Sequence, residues 1–105
     1  MNLPVPTHQR PPTPGDVLLY DFLEPLGVSQ ADFAKRIDVT PARLNEIIKG
    51  KRTVTPDTAL RFERALGASA AFWLNLQQIV DLFDAMHSEN AKVIRRIKPL
   101  TKAAA

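Results

Sequence analysis

The chain has 105 residues, 45% of them hydrophobic and 24% charged, with a formal net charge of +3, which fits one domain able to bury a core without cross-links. It contains no cysteine, which excludes disulfide frameworks, thiolate metal sites and cysteine nucleophiles and suits a reducing cytoplasm. No apolar run reaches the roughly 20 residues of a membrane span, and the Met1-Asn2-Leu3-Pro4-Val5-Pro6 start lacks the basic and apolar regions of a signal peptide, so the expected location is cytoplasmic, without a membrane partner.

The charge is unevenly placed. Residues 14–48 carry more acid than base; Lys49, Lys51 and Arg52 then form a tight basic cluster, and Lys92, Arg95, Arg96, Lys98 and Lys102 form a second run with no acid among it. Residues 1–13 hold four prolines and almost no large apolar side chains. Such a segment buries too little surface to offset its ordering entropy and reads as a flexible N-terminal arm. Thr13-Pro14-Gly15-Asp16 opens a first helix with an N-cap, a proline at the first helical position and an acid in the first turn. Pro25 and Gly27 stop it. Ser29-Gln30-Ala31-Asp32 opens a short second helix reaching about Arg36 or Ile37. Thr40-Pro41 opens a third, closed by Gly50, and Thr55-Pro56-Asp57 a fourth, closed by Gly67. Ser69 opens a fifth with no breaker until past Met86. Ser/Thr starts and Gly stops at these spacings are signals of helices, and no stretch alternates as a strand does. The predicted class is all-α, a five- or six-helix bundle: an arm over 1–13, a domain over 14–88 and a basic C-terminal tail over 89–105, frayed from Ile97 onward.

Two short helices joined by a turn of three or four residues form the unit that places a helix in the DNA major groove. Here Gln30 opens the first helix of the pair. Ala34 sits where the two helices cross and only a small side chain fits, and Val39 plugs the space after the turn. Phe33, Ile37, Leu44, Ile47 and Ile48 supply the buried faces. The turn, which usually carries glycine, carries Asp38, a residue that tolerates a left-handed backbone better than most. Removing the apolar face of the third helix leaves Thr40, Pro41, Ala42, Arg43, Asn45, Glu46 and Lys49, the first of them at the end that reaches base edges. Arg43 is the first choice for direct readout, because arginine bonds guanine O6 and N7 together. Asn45 is either an adenine reader or a solvated side chain. Gln30, Thr40, Lys49, Lys51 and Arg52 suit phosphate contacts, Gln30 and Thr40 because helix N-termini favour anions. Lys35 and Arg36 read first as helix C-terminal charges.

The resemblance goes beyond a helix-turn-helix. Pro14-Gly15-Asp16-Val17-Leu18, Phe22-Leu23-Glu24-Pro25-Leu26-Gly27-Val28-Ser29-Gln30, Asn45-Glu46-Ile47-Ile48-Lys49-Gly50-Lys51-Arg52 with Thr55 and Asp57-Thr58-Ala59-Leu60-Arg61, and Phe72-Trp73-Leu74-Asn75-Leu76-Gln77 resemble, in order and spacing, the HigA-type antitoxins over residues 14–83. The resemblance implies a lambda-repressor-like bundle. It also implies an antidote that binds and neutralises a small HigB-type toxin, an mRNA-cleaving ribonuclease, and a homodimer that binds operator DNA and represses its own module, without enzymatic activity. Ile79-Val80 before Asp81-Leu82, where an aromatic is common, and the basic tail depart from the pattern.

The fifth helix is informative by itself. At 100° per residue, Phe72, Trp73, Leu76, Ile79, Val80, Leu82, Phe83 and Met86 cover about half its circumference, with Gln77, Gln78, Asp81 and Asp84 marking the wet side. One reading is a central core helix. The other pairs part of the stripe, namely Leu76, Ile79, Val80, Phe83 and Met86, with a second copy. A two-fold dimer sets recognition helices about 34 Å apart and predicts an inverted-repeat operator. Trp73 reads as core. His8 and His87 stand alone, no zinc spacing is present, and Ser29 and Ser69 are caps with no base beside them, so neither cofactor nor metal is expected. The alternatives to an antitoxin are a stand-alone helix-turn-helix regulator with no toxin partner and a protein–protein adaptor that has lost DNA binding.

Overall fold

The computed structural model describes residues 9–101; residues 1–8 of the predicted arm, with His8, and residues 102–105, with Lys102, lie outside them. Thr13 caps the first helix as its sequence implies. Its Oγ1 accepts from Asp16 N at 3.1 Å, and Asp16 Oδ2 accepts from Thr13 N at 3.2 Å, closing a capping box. This helix, α1, covers residues 14–26 in three continuous stretches: Pro14–Val17, a π-helical stretch Leu18–Leu23, and Glu24–Leu26. Widening the turn rotates Leu23 toward the side of Leu18, and both are buried. The helix runs past Pro25 and ends on Gly27, whose φ of 67° lets Gly27 N reach Glu24 O and Val28 N reach Leu23 O, a Schellman ending.

Five more helices follow: α2 (Gln30–Arg36), α3 (Pro41–Ile48), α4 (Pro56–Leu66), α5 (Ala70–Met86) and α6 (Ala91–Arg95). Ser29, Thr40, Thr55 and Ser69 cap α2 to α5, each accepting from a backbone N–H three residues on. Among the described residues the helices number six, within the expected five or six. The sixth lies within the segment read as a tail, where buried Ala91 anchors it.

Phe33 from α2, Phe62 from α4 and Trp73 from α5, all but fully buried, form the centre of the core with Leu18 and Leu23 of α1 and Leu44 and Ile47 of α3. The rings meet tilted or edge-on: Phe62–Trp73 at 5.0 Å between centroids, Phe22–Trp73 at 5.2 Å and Phe33–Phe62 at 5.9 Å, the arrangements that aromatic quadrupoles favour. Helices α4 and α5 pack along each other, α2 crosses α3, and α1 lies against α3 and α5. Arg10, in the last part of the arm, forms a two-pronged bond to Asp84 of α5, with both distances 3.0 Å.

The contact of α1 with α3 depends on one missing side chain. A Cβ at Gly15 would overlap the carbonyl oxygens of Ile47 and Ile48, 2.6 Å from the latter. Gly15→Ala is therefore expected to destabilise the fold by roughly 1–3 kcal/mol, as overpacked cores do, although alanine is the better helix former. Chemical denaturation giving an unchanged or raised midpoint would show that α1 and α3 do not touch this closely.

Candidate nucleic-acid interface

The α2–turn–α3 unit is assembled by steric economy and a few polar ties. Ala34 is wholly buried at the crossing, and its carbonyl accepts from Val39 N at 3.0 Å. Asp38 takes the left-handed conformation, with φ 58°, that the sequence asks of it in place of glycine. The turn is held from outside by Arg61 of α4, whose Nη1 donates to the Ile37 and Asp38 carbonyls at 2.9 and 3.2 Å while its Nε donates to Asp57 Oδ1 at 2.7 Å. That bond to Arg61 holds the Asp57 carboxyl below its ordinary value of 3.8.

The nine residues singled out for nucleic acid fall on one unit but in three different situations. Pro41, Ala42, Lys49, Lys51 and Arg52 are exposed. Thr40 is exposed too, but its oxygen is engaged as the cap of α3, accepting from Arg43 N at 3.1 Å. Gln30, at the first position of α2, accepts from Asn45 Nδ2 at 3.3 Å, so these two form a pair across the two helices. Arg43 lies differently from expectation. It is half-buried, folded toward α4, with Nη2 donating to Thr58 Oγ1 at 3.0 Å.

The basic cluster after α3 curls back on the helix end. Lys51 N and Arg52 N both donate to Glu46 O, at 2.8 and 3.3 Å, and the Arg52 guanidinium grips Glu46 Oε1 at 2.9 Å. The same loop is pinned from α5, where Gln77 Oε1 accepts from Val54 N at 2.9 Å. Sequence reasoning missed three of these residues. Glu46 was noted only as exposed, Gln77 was placed on the wet side but is half-buried, and Thr58 carried no signal because its partner lies fifteen residues away.

The five residues expected to pair with a second copy also divide. Val80 and Phe83 are 2% and 9% exposed, used by this chain's own packing, with the Phe83 ring stacked on His87. Leu76 and Ile79 are partly covered, and Met86 is open. The open apolar surface runs instead through Leu82, Met86 and Ile94 along a groove of about 310 Å³ between α5 and α6, with Ala85, Ala91 and Arg95 completing its walls. Leu82 was part of the predicted stripe but not of the predicted contact set. Among the described residues no helix is long and apolar enough to cross a membrane.

A helix-turn-helix family model matches residues 19–73. Curated relatives include virulence-associated protein I of Dichelobacter nodosus, 38% identical over 96% of this chain and 93% of its own length. Antitoxin HigA-1 of Vibrio cholerae is 34% identical over 85% of this chain and 86% of its own. The helix-turn-helix-type transcriptional regulator YbaQ of Escherichia coli is 37% identical over 72% and 67%. Among solved structures, Pseudomonas aeruginosa antitoxin HigA with the higBA promoter superposes with a TM-score of 0.81 at 33% identity, covering 88% of this chain and 100% of that one. Antitoxin GraA in complex with its operator superposes at 0.80 and 31% identity, covering 93% and 99%.

The Asp57–Arg61 tie to the turn is testable through pH. A carboxyl held below its ordinary value stabilises the fold fully above that value and loses the contribution as pH falls through the lowered one. Asp57→Asn is expected to lower the melting temperature at neutral pH, with the gap from wild type closing in acid. A gap that persists unchanged in acid would mean that the ionised carboxylate is not what holds Arg61.

Proposed function

We propose, from the premise that this chain belongs to the helix-turn-helix family and within it to the HigA-type antitoxins, that it binds the operator of its own module as a homodimer and neutralises a HigB-type toxin by binding it. Its class, a DNA-binding helix-turn-helix antitoxin rather than an enzyme, follows from that membership; the operator, the toxin and the dimer are the finer reading.

The observation that carries the DNA half is the exposed N-terminal edge of α3, Thr40 to Ala42, with Lys49, Lys51 and Arg52 exposed past the other end of the same helix, on a frame whose solved relatives sit on promoter and operator DNA. In this reading Pro41, Ala42, Asn45 and Arg43 meet bases, with Gln30 bracing Asn45. Thr40, Lys49, Lys51 and Arg52 hold phosphates and supply a salt-dependent affinity that carries no sequence information. The dimer face is the open apolar strip of Met86, Leu82 and Ile94, with Leu76 and Ile79 at its edge; a strip of this kind calls for a partner in a soluble protein. The work is done in the cytoplasm, where operator and messenger RNA are found. Residues 1–13 and 89–105 serve as arm and tail around the domain of 14–88, with α6 as an ordered part of the tail.

The second reading, a regulator with no toxin, is favoured by one observation, the likeness to a protein named only as a transcriptional regulator. A growth test separates them. In HigA-type modules the toxin frame usually precedes the antitoxin frame. Inducing the short reading frame upstream of this gene is expected to arrest a bacterial host, and co-expressing this protein is expected to restore growth. Arrest that the protein does not relieve, or no toxicity from a well-expressed neighbour, would leave the stand-alone regulator.

A further inference from the structure

Arg43 is placed where a guanidinium gains little. Among the described residues its side chain has one hydrogen-bond acceptor, the neutral Thr58 hydroxyl at 3.0 Å, and its Nε is buried from water with no partner at all. A buried donor left without an acceptor carries its full desolvation penalty. The electrostatics add to this. Arg43 is the third residue of α3 and Thr58 the third of α4, each three past a threonine cap, so the cation lies by the N-terminal ends of two helices, where the helix dipole is positive and disfavours it. Asp57, the acid that feels the Arg43 charge, is already committed to Arg61 at 2.7 Å. Just outside, the exposed N-terminal edge of α3 is the surface assigned to DNA.

We infer that Arg43 has two positions, docked on Thr58 in the free protein and released on the operator, where it meets guanine acceptors, and that Thr58 sets the cost of release. This rests on the DNA-binding reading above and deepens it. The docked pose keeps the arginine off the outer surface while the protein rests on random duplex, so the phosphate contacts operate alone there. At the operator a bidentate pair with O6 and N7 replaces one hydroxyl bond and an orphaned N–H. Docking thereby lowers apparent affinity for the preferred site by the fraction of molecules not yet released and leaves non-specific affinity untouched. Thr58 is a positioning residue in this scheme. It is 1% exposed and also receives the Thr55 hydroxyl at 3.3 Å, a local network that does not face solvent.

The test uses the full chain, a duplex selected by that chain from a random library, and a scrambled duplex of equal length. Thr58→Val keeps the side-chain shape and removes the acceptor. It is expected to tighten binding to the selected duplex by about 3- to 10-fold with no change on the scrambled one. Arg43→Ala is expected to weaken the selected duplex by about 5- to 100-fold, and Thr58→Val added to it to have no further effect. Equal or weaker binding of Thr58→Val to the selected duplex, or the same gain in the Arg43→Ala background, would overturn the inference while leaving DNA binding intact. If wild type enriched no duplex, the DNA reading would fall and the inference with it. Should Thr58→Val fail to fold, the Arg43 Nε–H signal of the wild-type chain decides by NMR. Slow exchange with water in the free protein, and a shift on adding the selected duplex but not the scrambled one, supports release. Fast exchange in the free protein, or no shift on the selected duplex, refutes it.

Discussion

Trp73 reaches across the molecule: its indole, wholly buried, meets Phe62 of α4 edge-on, Phe22 of α1 at a tilt and Phe72 on its own helix. Through Phe62 the contact extends to Phe33 of α2. Replacing such a ring by alanine costs about 3–5 kcal/mol in a well-packed core, a large share of the stability of any domain this size. Holding it has a cost, since the indole N–H is buried without a partner among the described residues. Because the aromatic centre fixes α4 and α5 against α2, the polar ties reaching the reading unit from behind have firm anchors. Arg61 bonds the turn from α4, and Gln77 bonds the loop after α3 from α5. The geometry of the surface thus depends on a core that never touches it.

The exposed unit shows a consistent economy of charge. Arg43 is tied to Thr58 and Arg52 to Glu46, whereas Lys49, Lys51 and Arg36 are exposed and make no ion pair among the described residues. Lysines are point charges suited to any phosphate, while arginine forks recognise bidentate acceptors. Holding Arg43 on an inner hydroxyl while Lys49, Lys51 and Arg52 lie at the surface separates the fork suited to a base edge from the charges suited to any phosphate. The anchoring of Arg10 on Asp84 places the end of the N-terminal arm beside the same face of the fold, since Lys51, Arg52 and Thr53 line a small cavity together with Arg10 and Asp84.

Much of the architecture was legible because its signals are local. A threonine or serine cap marks the start of each of the first five helices, and the structure follows these signals at Thr13, Ser29, Thr40, Thr55 and Ser69, while Gly27, Gly50 and Gly67 mark the ends of α1, α3 and α4. Asp38 in a glycine position was legible for the same reason. The π stretch in α1 was not, because it answers to where Leu18 and Leu23 meet the core and not to their own sequence. The short helix over Ala91–Arg95 was hidden within a basic run that composition alone reads as tail. At the site, helical periodicity located the exposed positions of α3 but could not see Thr58 folding in from the next helix to claim Arg43. The apolar stripe of α5 was correctly wide, yet its division into core and open strip depends on tertiary contacts. Val80 and Phe83 went inward, while Leu82 stayed out.

The most direct measurement is a hydroxyl-radical footprint of the protein on the DNA upstream of its own gene. A two-fold dimer presenting two copies of α3 should protect two patches related by a dyad, their centres about one helical turn or 10 base pairs apart. A single unrepeated patch would contradict the dimer, and even protection along the whole fragment, or none, would contradict operator recognition by α3.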